Sequence, residues 1–229
     1  MKIEILEEID STNEYIKRYL SLGEDRVVAA KRQTGGKGTK GRSFLSNEGG
    51  VYLTALNFYR GFFAKDAFLI MAHAATAVCK TAEHFGLKPE IKWPNDVYLS
   101  GRKLAGILVE NILEGDKIRA SIVGIGMNVC NDLGELCKIA VSLSEAARRT
   151  VCVEEARELL IQNLQNADTF DDYLKRVRFL GQEVQVVEGD KKYQAKALQV
   201  CADGRLKVER EGEEICLSAA EISLKYNAE

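Results

Sequence analysis

Leu104-Ala105-Gly106-Ile107-Leu108-Val109-Glu110-Asn111-Ile112 runs through Glu114-Gly115-Asp116 into Ile118-Arg119-Ala120-Ser121-Ile122-Val123-Gly124-Ile125. Two apolar runs of strand length joined across an acidic glycine turn predict a β-hairpin. Upstream, Ile91–Trp93 and Val97–Leu99 read as shorter strands, and Pro94, which lacks a ladder N–H, ends the first. Asp66 to Phe85 predicts one long helix, apolar on nearly every face and therefore buried, with Gly86 as its stop. Ile3–Ile9, Val27–Ala30 and Val51–Leu56 predict three earlier strands. After the first, Ser11 and Glu14 have capping-box spacing for a helix from Thr12 to Leu22, stopped at Gly23. Ser142–Arg149, Glu154–Asn166 and Thr169–Arg178 predict helices downstream. The expected fold is α+β, with a mixed, largely antiparallel, hairpin-connected sheet.

From Gly181 the pattern changes. Glu183–Val187, Tyr193–Val200, Leu206–Glu209 and Glu214–Leu217 are separated by turns at Gly189-Asp190, Asp203-Gly204 and Glu211-Gly212. Short strands at such spacing predict a small β-barrel, so the expected division is residues 1–180 and 181–229. The chain has 229 residues, 46% hydrophobic and 29% charged, enough for a sizeable core. A formal net charge of −2 gives no global field toward nucleic acid or acidic membrane. Six cysteines with no C-x-x-C pair, beside only His73 and His84, argue against a Cys/His zinc site and for reduced thiols. The two histidines fall within the long-helix pattern and read as structural. Met1 to Glu8 carries early acids and no apolar h-region, and Ala67–Cys79 is too short to span a bilayer. These features predict a cytoplasmic protein.

Four segments offer chemistry. Gly35-Gly36-Lys37-Gly38-Thr39-Lys40-Gly41-Arg42 exposes backbone N–H groups beside three cations, which suits a phosphate or carboxylate. It is neither a Walker A loop nor a dinucleotide fingerprint, and a solvated hairpin is the plainer alternative. Lys92-Trp93-Pro94-Asn95-Asp96 and Gly101-Arg102-Lys103-Leu104-Ala105-Gly106 frame a turn with polar tips. Lys103 at the mouth of an apolar strand is either a snorkelling edge residue or a point charge beside a developing anion. Gly124-Ile125-Gly126-Met127-Asn128 permits a flat ligand against the backbone, or simply a bulge. Ser11-Thr12-Asn13 serves as a helix cap or as a set of hydroxyls and amide for a neutral polar head.

In this order and spacing, the segments resemble the biotin–protein ligase family along essentially the whole chain, the Lys92–Asp96 to Arg102–Gly106 string most specifically. The resemblance implies a class II synthetase-like catalytic domain with a C-terminal SH3-like barrel. Bifunctional members carry an N-terminal winged helix, and with a first strand expected at residue 3 the monofunctional type is the expectation here. It implies that Ser11, Thr12, Asn13, Gln33, Lys37, Gly38, Thr39 and Lys103 bind biotin. Arg42, Phe44, Asn95, Gly106 and Asn128 would face ATP or the adenylate, and Lys103, Lys37 and Asp96 would be catalytic, with Asp96 orienting either Mg2+ or the incoming amine. Biotin, ATP and a biotin carboxyl carrier protein are the implied partners, without DNA or membrane, and a homodimer is left open. The family loop usually reads Gly-Arg-Gly-Arg-x-Gly-Arg, and Phe44 stands where tryptophan is common. Here Lys37 loses the bidentate fork and Thr39 the charge, which predicts looser retention of the adenylate.

The implied reaction forms biotinyl-5′-AMP and pyrophosphate from biotin and ATP, then transfers biotin to a carrier lysine. Two rivals are a lipoate or octanoate ligase and a non-catalytic biotin-binding regulator. Glu209, Glu211, Glu213 and Glu214 disfavour an RNA-binding barrel.

Overall fold

The structure is a computed structural model that describes residues 1–166, 168–218 and 222–225. The chain runs β1 (Lys2–Ile9), α1 (Thr12–Ile16, continued by a 3-10 turn over Lys17–Leu22), β2 (Arg26–Gln33) and β3 (Gly50–Phe63). Then come α2 (Phe68–His84), β4 (Glu90–Lys92), β5 (Asp96–Leu99), β6 (Arg102–Glu114) and β7 (Lys117–Asn128). Three short helices follow, α3 (Leu143–Ala147), α4 (Val153–Asn163) and α5 (Phe170–Leu174). Strands β8 (Glu183–Glu188), β9 (Lys191–Val200), β10 (Leu206–Arg210), β11 (Glu213–Leu217) and β12 (Ile222–Lys225) complete the described chain.

The main sheet has the order β1-β2-β3-β7-β6-β5-β4. The expected hairpin is its centre: β6 and β7 pair antiparallel, with Glu114 opposite Lys117 at the turn. Only β1 and β2 are parallel, because the α1 segment crosses over between them. Strand β3 outlasts its expected end at Leu56. A register shift between Phe58 and Phe62, with Gly61 at φ 81°, lets it bend and go on pairing with β7. Helix α5 is shorter than the pattern predicted.

Side-chain alternation gives this sheet two different faces. Val123, Ile125 and Met127 of β7 join the large core with α2, whose Ala72, Ala74, Ala75, Ala77 and Ala82 are all buried. Helices α4 and α5 pack against α2 on that side. On the opposite face Ala120 and Ile122 join Val28, Leu56 and Ile16 in a small cluster beneath α1. Gly124 and Gly126 continue this second face but carry no side chain, so the sheet surface there is bare.

The second sheet has the order β11-β10-β9-β8-β12. Strand β12, which the sequence pattern did not reveal, pairs antiparallel with β8. Trp93 donates its indole N–H to the Gly204 carbonyl across the two sheets at 3.0 Å. Gly204 sits at φ 87°, and a Cβ there would lie 2.4 Å from the Phe68 ring, so only glycine allows this approach. Tyr173 of α5 donates to the Pro94 carbonyl at 3.1 Å. The turn that carries Asn95 and Asp96 is thus held from behind by both α5 and the second sheet. Among the described residues no helix is long and apolar enough to cross a membrane.

Candidate active site

The bare glycine surface is the floor of a cavity of about 110 Å³, lined also by Ser11, Thr12, Asn13, Gln33, Lys37, Gly38, Thr39, Arg42, Phe44, Asn95, Asp96, Lys103 and Gly106. Thirteen of the fourteen sequence-predicted positions therefore converge here, from four separate segments. The glycines are required by what lies on them. A Cβ on Gly124 would fall 2.0 Å from Asn13 Oδ1, and one on Gly126 would fall 2.5 Å from the Phe44 ring. One on Gly106 would meet the Lys103 ammonium at 3.0 Å.

One end of the cavity is uncharged and rich in hydrogen-bonding groups. Ser11 occupies the N-cap position of α1, yet its side chain makes no cap hydrogen bond. The expected capping box is thus absent: Glu14 turns to Lys17 and Lys37 instead. The Thr12 amide and hydroxyl both donate to Gln33 Oε1, at 2.8 and 3.0 Å. Gln33 Nε2 donates in turn to Ser46 Oγ at 2.9 Å. The fully buried Thr54 donates to Asn13 Oδ1 at 2.7 Å, and Asn13 Nδ2 donates to Glu110 Oε1 at 3.3 Å. These two contacts fix which way the Asn13 amide faces. Sequence reading missed Thr54, Ser46, Glu14 and Glu110. Glu14 was assigned to the cap, and the other three stand in strand or loop sequence that carries no local mark of a cavity.

The glycine-basic loop is an ordered hairpin rather than an extended strand-to-strand link. Lys37 pairs with Ser43 in an antiparallel bridge, and Phe44 N donates to the Gly36 carbonyl at 2.9 Å. A Cβ on Gly36 would lie 2.5 Å from the Phe44 carbonyl oxygen, a backbone atom that cannot yield. Lys37 Nζ lies 2.6 Å from Glu14 Oε1, and this ammonium, more than Lys17, holds the Glu14 carboxyl below the usual carboxylate range. Thr39 is engaged: its hydroxyl and carbonyl accept from the Arg42 guanidinium at 2.9 and 3.2 Å.

At the other end, Lys103 Nζ lies 2.8 Å from Asp96 Oδ1 and 5.9 Å from the Phe44 ring centre. Beyond them opens a second cavity of about 280 Å³, lined by Leu45, Tyr98, Leu133, Leu136, Ile139 and Asn128. Arg42, Ser43, Phe44, Asp96 and Lys103 line both cavities, so they form the junction. Asn95 spends its amide on the Ile107 carbonyl at 3.0 Å and so holds the turn against β6. Asn128 reaches only the second cavity. It is buried, accepts from Asn131 at 3.1 Å, and aims its amide at the Val141 and Lys103 carbonyls. Burial raises the Tyr98 phenol above its ordinary value. No cysteine lines either cavity, and His73 lies on the far face of the sheet, where Nε2–H donates to the Leu164 carbonyl at 3.0 Å. Chemically, the arrangement joins a neutral polar pocket to a largely apolar one across two cations and a carboxylate.

Comparison with known proteins gives this geometry a context. A family model described as the biotin/lipoate A/B protein ligase family matches residues 5–128. The bifunctional ligase/repressor BirA of Bacillus subtilis (strain 168) is 40% identical over 129 residues, which are 54% of this chain and 40% of that protein. The chain thus spans well under two thirds of that relative's length. BirA of Escherichia coli (strain K12) is 29% identical, over 97% of this chain and 74% of the relative. The biotin protein ligase from Aquifex aeolicus, solved in complex with biotin and ATP, superposes with a TM-score of 0.78 at 27% identity, covering 99% of both chains.

Proposed function

The chain belongs to the biotin/lipoate A/B protein ligase family, and from that premise we propose that it is an ATP-dependent biotin–protein ligase, forming biotinyl-5′-AMP and passing biotin to a lysine of a biotin carboxyl carrier protein. The observation that carries this reading is the junction: two cavities of different character that share Lys103 and Arg42. The ureido ring of biotin would lie among Ser11, Thr12, Asn13 and Gln33, with Gly124 beneath it. Its carboxylate would then point to Lys103, and the adenine would enter the second cavity beside Phe44 and Asn128.

Both reactants are anions, so they repel until cations meet them. Lys103, Arg42 and Lys37 supply that charge within one small volume, and holding both ends converts a bimolecular encounter into an oriented one. Lys103 is paired with Asp96 before substrate arrives, which fixes the ammonium at the junction. Magnesium would neutralise phosphate charge. Asp96 is the one carboxylate lining that junction, and among the described residues no group of three His, Cys, Asp or Glu could cage a metal. That fits an ion carried by the phosphates and touched by one carboxylate. The mixed anhydride is reactive toward water, and the hairpin over Gly36–Phe44 lies where it would exclude solvent. In the second half-reaction the carrier amine attacks the carbonyl, AMP leaves, and the amine loses its proton; no enzyme nucleophile is used. The second sheet, β8 to β12, would belong to a small SH3-like domain at 181–229, of which 219–221 and 226–229 lie outside the described residues, and would buttress a catalytic domain at 1–180. A cytoplasmic setting fits substrates of this kind.

ATP–pyrophosphate exchange tests the reading. Exchange should require biotin, and lipoate or octanoate in its place should leave the rate at background. Exchange with lipoate and not biotin would instead support the lipoate ligase branch of the family. Binding of biotin without exchange would support a non-catalytic regulator.

A further inference from the structure

We propose that Glu110, Lys17 and Glu14 form a positioning network that couples occupancy of the polar end of the cavity to closure of the Gly36–Phe44 loop; it rests on biotin being the ligand. Four contacts run in series. Asn13 Nδ2 donates to Glu110 Oε1 at 3.3 Å, and Glu110 Oε2 lies 2.8 Å from Lys17 Nζ. Lys17 Nζ lies 2.9 Å from Glu14 Oε1, and that same oxygen lies 2.6 Å from Lys37 Nζ.

The network joins elements that are otherwise separate. Glu110 belongs to β6, Lys17 to the 3-10 turn after α1, and Lys37 to the loop. Two lysines share a single carboxylate oxygen, so motion of either alters the hold on the other. A ligand that hydrogen-bonds the Asn13 amide changes its hold on Glu110, and through it the two-carboxylate seat of Lys17. That seat sets where Glu14 stands to receive Lys37. Glu110 is the main group raising the Lys17 ammonium, while Lys37 and Lys17 lower the Glu14 carboxyl, as a connected set of charges would. A lone exposed ion pair contributes little; here three share partners in series and are joined by one hydrogen bond to a ligand-reading amide, so a shift at one contact is felt at the next.

The test compares loop cleavage by trypsin at Lys37, Lys40 and Arg42, without and with saturating biotin, in the full chain. Wild type should be protected by biotin. Lys17→Met should reduce the protection ratio about 5-fold, and by reciprocity biotin affinity measured calorimetrically should fall by the same factor. Lys17→Arg should restore most of it, since a guanidinium can bridge two carboxylates. If Lys17→Met does not fold, Glu14→Ala cuts the series at its loop end and should give the same ratio change. A merely structural Lys17 would raise cleavage equally with and without biotin. An unchanged ratio in a variant that still binds biotin therefore overturns the network. Wild type that binds no biotin overturns the proposed function itself.

Discussion

Lys103 is the residue on which both half-sites converge. Its ammonium is half-buried between Asp96 and the Phe44 ring, where the effective dielectric is lower than in water and a cation is worth more. Lys103→Ala should reduce biotin-dependent pyrophosphate exchange on the order of 10²–10³-fold, as for loss of one preorganised electrostatic donor. Near-normal exchange would remove Lys103 from the chemistry. Thr39 gives a second prediction. Thr39 accepts from Arg42, so the loop keeps one guanidinium in place but carries no charge at position 39 itself. Thr39→Arg should slow dissociation of biotinyl-AMP, read as the off-rate of labelled adenylate; equal rates in both forms would end that idea. At this scale the charged and glycine positions were legible because they stand in one compact motif each. Thr54, Ser46 and Glu110 were not, because nothing local distinguishes a polar residue that faces a cavity from one that faces a neighbouring strand.

Elements position those residues, and two of them can be tested. Helix α5 begins with a capping box in which the Asp172 carboxylate accepts from the Thr169 amide and hydroxyl. The Thr169 backbone N–H, then its hydroxyl, pull the Asp172 carboxyl down to about 2 from 3.8. A depressed carboxyl stabilises the fold above its unfolded value and loses that contribution as pH falls through its folded one. Asp172→Asn should therefore lower the melting temperature at pH 7, and the gap to wild type should shrink as pH drops from about 4 toward 2. A gap independent of pH would contradict the assignment. Trp93 belongs to the motif that identifies the site, yet its indole binds the second sheet at Gly204. Trp93→Phe keeps a packing ring but strands that carbonyl, at roughly 1–3 kcal/mol; a thermal shift of about 2–4 °C per kcal/mol should reveal it. No shift would mean that the contact is not needed to hold the sheets together. Hairpins and the buried helix were legible from alternation and all-round apolarity. The extension of β3 to Phe63 was not, because a bulge at Gly61 resets the alternation that sequence reading follows.

At the scale of the molecule, one sheet separates two tasks. Its far face is closed by α2, α4 and α5 into the large core. Its near face passes from an apolar seat for α1 to a bare glycine floor along a single strand, Ala120-Ile122-Gly124-Gly126. That gradient leaves open space over a stretch where the fold offers backbone instead of side chains. The antiparallel order was legible from consecutive strands. The parallel β1–β2 pair was not, because pairing direction depends on how α1 packs, which no local pattern states. A crystal structure with biotin and a non-hydrolysable ATP analogue tests the central claim most directly. The biotin carboxylate and the α-phosphate should both lie within about 3 Å of Lys103 Nζ, at hydrogen-bonding distance, with the ureido ring against Asn13 and the adenine beside Phe44. Biotin bound elsewhere, or nucleotide outside the second cavity, would contradict it.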